Sequence, residues 1–141
     1  MMTDWGAHLF DIAQWALDMD QSGPVEIIPP DGKNAETLTY VYANGIPMTR
    51  EDFGKGNAVR FIGSEGTIEV SRSFLNMPEN LKYQSIDLND NHLYRSIDHY
   101  RDWLNCIKTG EKPICDVEIG HCTASICNIG NIAYELSRPL K

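Results

Sequence analysis

Polar and apolar residues alternate along this chain with two different periods, and the change of period divides it. From residue 5 to about 18 the apolar positions recur every three to four residues, the spacing of a helix. Leu9, Ile12, Ala13, Ala16 and Leu17 fall on one face, with Phe10 and Trp15 near its edges. The other face carries Asp4, His8 and Asp11, one polar stripe at i, i+4 and i+7. Asp4 is also placed as a helix N-cap. The run M-D-Q-S-G-P at 19–24 ends the helix in turn chemistry.

The period then falls to two. Residues 25–28 read as a short strand stopped by P-P-D-G. Residues 36–43 alternate, with Leu38, Tyr40 and Tyr42 on one side and Thr37, Thr39 and Val41 on the other. Asn44-Gly45 marks a hairpin, because both residues tolerate positive φ. The return strand, 46–50, contains Pro47, which suits an edge or a bulge. A second hairpin is expected from 57–62 and 67–72 around G-S-E-G, with Ile68 and Val70 facing in and Thr67, Glu69 and Ser71 facing out. Residues 73–91 read as loop with one or two short extended pieces.

Helical spacing returns at about 93–108, with Ile97, Tyr100, Leu104 and Ile107 on one stripe and Gly110 as the stop. A last helix starts after Asp116 and runs to about Leu136, ahead of Pro139. The pattern predicts an α+β domain: a mostly antiparallel open β-sheet with helices packed on one face.

Composition narrows the partners. The chain has 141 residues, enough for one domain with a core, and 42% of them are hydrophobic. Twelve Lys and Arg stand against twenty Asp and Glu, a formal charge of −8. That balance argues against nucleic acid and against an anionic membrane surface. The apolar runs are too short and too charged for a membrane span. No secretory leader is visible after Met1. Cys106, Cys115, Cys122 and Cys127 form no C-x-x-C pair and read as free thiols, mostly buried.

His8 is the centre of the candidate chemistry. Histidine is the side chain best suited to proton transfer near neutral pH. A helix N-terminus disfavours positive charge, which suits a base. Asp4 and Asp11 are spaced to orient it. The same spacing also fits an ordinary surface or core histidine. No fourth ligand lies near Asp4, His8 and Asp11, so no metal is expected. His99, with Asp98 and Asp102, reads as solvated; His121 reads as a polar position near a helix start, and His92 has no stronger claim. Glu111-Lys112-Pro113 follows a helix stop and reads as a surface loop. No G-x-G-x-x-G lies between a strand and a helix, so no dinucleotide cofactor is expected to be held by this chain unaided.

The segment Asp4 to Asp20, D-W-G-A-H-L-F-D-I-A-Q-W-A-L-D-M-D, resembles the D-x-G-x-H-x-x-D-x-x-x-W-x-x-G segment of the Gfo/Idh/MocA family. That family is named for glucose–fructose oxidoreductase, inositol dehydrogenase and a rhizopine-catabolism protein. T-Y-V-Y-A-N-G, V-R-F-I-G-S-E-G-T-I-E-V, G-E-K-P-I-C-D-V-E-I-G-H and N-I-A-Y-E-L-S-R-P-L-K extend the resemblance over nearly the whole chain. One departure is Asp18, where the pattern has glycine. The resemblance implies that residues 1–141 are a single C-terminal substrate-binding and oligomerisation domain, of the kind seen in dihydrodipicolinate reductase. It implies an N-terminal Rossmann domain, absent from this chain, that binds NAD or NADP.

By the same resemblance His8 is the general base on a substrate hydroxyl and Asp4 orients substrate and histidine; Asp11, on the same stripe, is a candidate substrate contact. The family's partner lysine belongs to the absent domain; Lys112 is not it. The implied activity is hydride transfer between a sugar or polyol hydroxyl and NAD(P), with the isolated chain inactive. Two other readings stay open: glycoside cleavage through transient oxidation, and a non-catalytic sugar-binding or dimerisation module. A carbohydrate or polyol partner, homo-oligomers through the open sheet face, and a cytoplasmic location (periplasmic if an export signal precedes the chain) complete the expectation.

Overall fold

A computed structural model of the chain describes residues 2–33, 35–83 and 94–141. The order of elements is α1 (Trp5–Ala16), β1 (Glu26–Ile28), β2 (Leu38–Val41), β3 (Pro47–Arg50), β4 (Val59–Gly63), β5 (Gly66–Val70), β6 (Leu75–Asn76), α2 (Glu79–Lys82), α3 (His99–Thr109) and α4 (Val117–Leu136). The fold is α+β, and its strand pairs are antiparallel. The strands make two sheets of three, ordered β1-β2-β3 and β4-β5-β6, where one sheet was expected. Each hairpin is specified locally by its turn. Nothing local specifies a pairing of β3 with β4 across the loop that separates them.

In the first sheet Leu38, Tyr40 and Tyr42 are all buried, as their alternation implies. Register sets Ile27 opposite Tyr40. Ile27, Leu38 and Tyr40 join Met2 and Phe10 from the N-terminal segment and α1, and Ile126, Cys127 and Ala133 from α4, in one core cluster. The Phe10 and Tyr40 rings meet edge to face at 5.3 Å, a favoured aromatic geometry. Gly130 of α4 lies over the Tyr40 hydroxyl, where a side chain has no room. The chain end closes the other edge: Leu140 and Ile27 exchange two backbone hydrogen bonds of 3.0 Å.

The Asn44-Gly45 turn forms, but only Gly45 uses a positive φ, at 84°. Tyr42 N–H bonds Ile46 O and Gly45 N–H bonds Tyr42 O, a three-residue loop with a left-handed last residue rather than a two-residue mirror-image turn. Pro47 opens β3 on the sheet's edge, where its missing N–H costs no ladder bond.

Two positions differ from their sequence reading in an informative way. Gln14, inside the expected apolar helix, is buried at 1% exposure. Its Nε2 donates to Met19 O and Ser22 O, and its Oε1 accepts the Tyr42 hydroxyl proton, so every polar atom is answered. Burial pushes the Tyr42 phenol up to about 12. Glu69, expected to face out, is buried beneath Arg60 and Asn76, its partners on the neighbouring strands. Arg60 lies over the Phe53 ring at 4.2 Å, completing the cover.

α3 starts at His99, later than expected, because Asp98 is its cap and accepts from Tyr100 N–H and Arg101 N–H. Gly110 at φ 76° closes it, as read from the sequence. Its stripe of Tyr100, Trp103, Leu104 and Ile107 stands exposed, as does Ile97 just ahead of the cap. Residues 73–83 include a short helix, α2, that was not expected. His92 and the first residue of the expected penultimate helix lie outside the described residues.

Candidate functional site

The sequence-predicted residues all sit on or beside α1. Asp4 occupies the N-cap position, but its carboxylate makes no cap bond and is exposed; the cap is made by its carbonyl, which accepts from Ala7 N–H at 3.0 Å. His8 is exposed one turn further on. No hydrogen bond or ion pair joins it to Asp4 or Asp11 among the described residues. Its neighbour is Trp5, whose ring centre lies 5.7 Å away at an interplanar angle of 63°. Asp11 is half-buried and faces α4, where it accepts the Thr123 hydroxyl at 3.0 Å. Helical spacing gathers Asp4, His8 and Asp11 on one element, yet Asp11 is engaged in holding α1 to α4 while His8 is open.

Trp5 and Arg72 were missed in the sequence. The Arg72 guanidinium carbon lies 4.8 Å from the Trp5 ring centre. Arg72 arrives from the turn after β5, and that turn is fixed by Ser71 N–H bonding Phe74 O and by Ser71 Oγ accepting from Ser73 N–H and Phe74 N–H. Trp5 stands in the first turn of α1 without lying on its apolar face, the one sequence signal available. Nothing local marks Arg72.

Behind Asp11 the surroundings are acidic. Asp20 Oδ1 is buried and has no hydrogen-bond partner among the described residues. Burial raises the Asp20 carboxyl above its ordinary range, and Asp11 and Asp18 raise it further. The Cys115 thiol is also raised, by burial first and then by Asp11, Asp20 and Asp116. All four cysteines are free; Cys106 and Cys127 are buried, Cys122 half-buried and Cys115 exposed. Among the described residues no three His, Cys, Asp or Glu side chains come together as a metal cage.

Lys112 lies at the surface and pairs with Asp116 at 2.5 Å, in keeping with a loop reading of E-K-P. His99 stacks on Tyr100 with ring centres 4.1 Å apart, and His121 is exposed on α4. A groove of about 880 Å³ lies on a different side of α1, lined by Leu9, Phe10, Ala13 and Leu17 together with β3 and β4. None of Asp4, His8 or Asp11 lines it.

The described residues do not fit a dinucleotide. Such a site needs a glycine turn from a strand into a helix N-terminus, beside a parallel sheet. Gly54 and Gly56, with φ of 77° and 65°, lie between two strands, and the strand pairs are antiparallel. No helix among the described residues is long and apolar enough to cross a membrane.

No protein-family model, curated protein or solved structure matches this chain.

Proposed function

We propose that this chain is the substrate-binding, proton-accepting half of an oxidoreductase that moves a hydride between a sugar or polyol hydroxyl and NAD or NADP. The observation that carries the reading is His8: an imidazole exposed one turn into α1, without a hydrogen bond or ion pair among the described residues, with an aromatic ring beside it and the exposed carboxylate of Asp4 on the same stripe. An imidazole that must take a proton from a substrate has to be reachable and unspent.

The backbone at Asp18 supports the resemblance behind this reading. Asp18 has φ of 57°, the left-handed region, at the position where the Gfo/Idh/MocA pattern has glycine. The polypeptide keeps the bend that glycine would supply.

In this proposal His8 accepts the hydroxyl proton and Asp4 orients substrate and imidazole. Asp11 acts at one remove, holding α1 against α4 through Thr123. The nicotinamide cofactor belongs to a separate dinucleotide-binding domain, and residues 1–141 form the C-terminal substrate domain of the joined protein. A cytoplasmic location and homo-oligomers through the open sheet belong to the same proposal. The exposed stripe on α3 favours a second reading, an assembly module that binds sugar without turning it over.

The test uses this chain joined to its dinucleotide-binding domain, with a panel of sugars and polyols. Substrate-dependent reduction of NAD or NADP, lost in His8→Asn while cofactor binding persists, is the expected result. Aglycone release without net reduced cofactor would replace oxidation by glycoside cleavage. Full turnover in His8→Asn would end the assignment.

A further inference from the structure

We infer that Arg72, seated on Trp5, binds an anionic group on the hydroxyl substrate: the ligand is a sugar acid or a phosphorylated sugar rather than a neutral polyol. This rests on the reading of His8 as the base, and adds a second point of recognition to the same site.

Two side chains meet at the Trp5 ring. The His8 imidazole meets the Trp5 ring at 5.7 Å, and the Arg72 guanidinium meets that ring at 4.8 Å. Imidazole and guanidinium thus share one aromatic neighbour, although residue 72 is far from residue 8 in the chain. The cation–π contact orients the guanidinium, and the hydrogen-bonded turn at 71–74 fixes the backbone that delivers it. A charged group so constrained loses little freedom when it takes up a ligand.

Among the described residues no ion pair occupies Arg72, which leaves its fork of donors open to a ligand. The chain holds twenty Asp and Glu against twelve Lys and Arg. Arg60, Lys112 and Lys141 each pair with a carboxylate, at 2.8, 2.5 and 3.4 Å. Among the described residues no ion pair joins Arg72 to any acid, Asp4 just before Trp5 included. A guanidinium presents a planar fork of N–H donors that matches a carboxylate or phosphate with two parallel bonds. Trp5 is 41% exposed, leaving ring surface for the C–H face of a pyranose. A hexose-sized ligand can rest on Trp5 with its anionic group toward Arg72 and a hydroxyl toward His8.

The experiment titrates the 141-residue chain with glucuronate, glucose 6-phosphate and glucose, following the His8 and Trp5 side-chain resonances by NMR. One or both charged sugars should bind at least about tenfold tighter than glucose, the effect of one charge-assisted bond pair. The tighter of the two identifies the group as carboxylate or phosphate. Arg72→Gln should remove the preference and Arg72→Lys should keep part of it, both with unchanged amide spectra, since the residue is exposed. Equal binding of charged and neutral sugars, an Arg72→Gln chain that binds like wild type, or no shift with any of the three would overturn the inference. His8→Asn separates the two ideas: read at Trp5, it should keep the preference for charged over neutral sugar that Arg72→Gln removes. If His8→Asn also leaves turnover intact in the joined protein, the base assignment fails while Arg72 recognition stands.

Discussion

Replacing Gly130 by alanine should destabilise the fold, against the usual effect of that change in a helix. Gly130 lies within α4, where its lack of a side chain ordinarily costs about 1 kcal/mol relative to alanine. In an open helix the substitution would therefore stabilise. Here the new Cβ would overlap the Tyr40 hydroxyl and stand 3.1 Å from Tyr40 Cζ and 3.2 Å from Leu38 Cδ2. Tyr40 and Leu38 are wholly buried, at 0% exposure, so neither can swing aside into solvent. Tyr40 is further held by Phe10 and by a hydroxyl bond to Ile126 O at 3.5 Å.

Overpacking of a filled core costs about 1–3 kcal/mol, and a displaced buried hydroxyl adds about 1 kcal/mol. After the helix gain is subtracted, a net loss of about 2 kcal/mol remains, equivalent to a fall in Tm of about 6 °C for a domain of this size. Urea unfolding followed by circular dichroism reads it as a lower midpoint at constant slope. The double variant Tyr40→Phe/Gly130→Ala should recover about 1 kcal/mol, because it removes the overlapping oxygen. A Gly130→Ala chain more stable than wild type would refute the close approach of α4 to β2.

Asp18→Gly should stabilise by about 0.5–1 kcal/mol, since it relieves a left-handed side-chain residue at φ 57°; a lower urea midpoint would contradict this. Asp20→Asn should raise stability at neutral pH. The folded carboxyl is raised, so the folded state holds its proton longer than the unfolded one and loses stability as pH climbs through the raised value. Midpoints measured across pH should therefore converge below the ordinary aspartate range; a gain that persists there would count against burial as the cause. Glu69 has the opposite sign. Arg60 and then Asn76 hold its carboxyl below the usual range, so its contribution is full above the unfolded value and lost as pH falls through the folded one. Glu69→Gln should flatten the acid limb of the stability curve, and an unchanged limb would dismiss the Arg60 pair as a source of stability.

Much of this fold was legible because its signals are local. The two-residue period of Leu38, Tyr40 and Tyr42 states which side is buried, and the structure buries those three. Gly45 and Gly110 announce a turn and a helix stop by the backbone they permit. The start of α3 was misjudged because Ile97 continues the helical stripe, whereas Asp98 takes the cap and wins. Alternation placed Glu69 outward, yet it is buried, because alternation could not see Arg60 and Asn76 folding over it. The division into two sheets is likewise a non-local fact. At the candidate site, spacing alone put Asp4, His8 and Asp11 on one helix. It could not tell that Thr123 would occupy Asp11, or that Arg72 would reach Trp5, because those contacts exist only after α4 and the β5–β6 turn close on α1.

The pH dependence of kcat/KM, compared between wild type and His8→Asn in the proposed two-domain oxidoreductase, tests the central claim most directly. If His8 takes the hydroxyl proton, wild type loses activity on the acid side with a slope of one proton. The variant then loses that limb and falls by about 10²–10⁴-fold, the usual worth of a positioned base. An acid limb and a rate unchanged in His8→Asn would contradict the account.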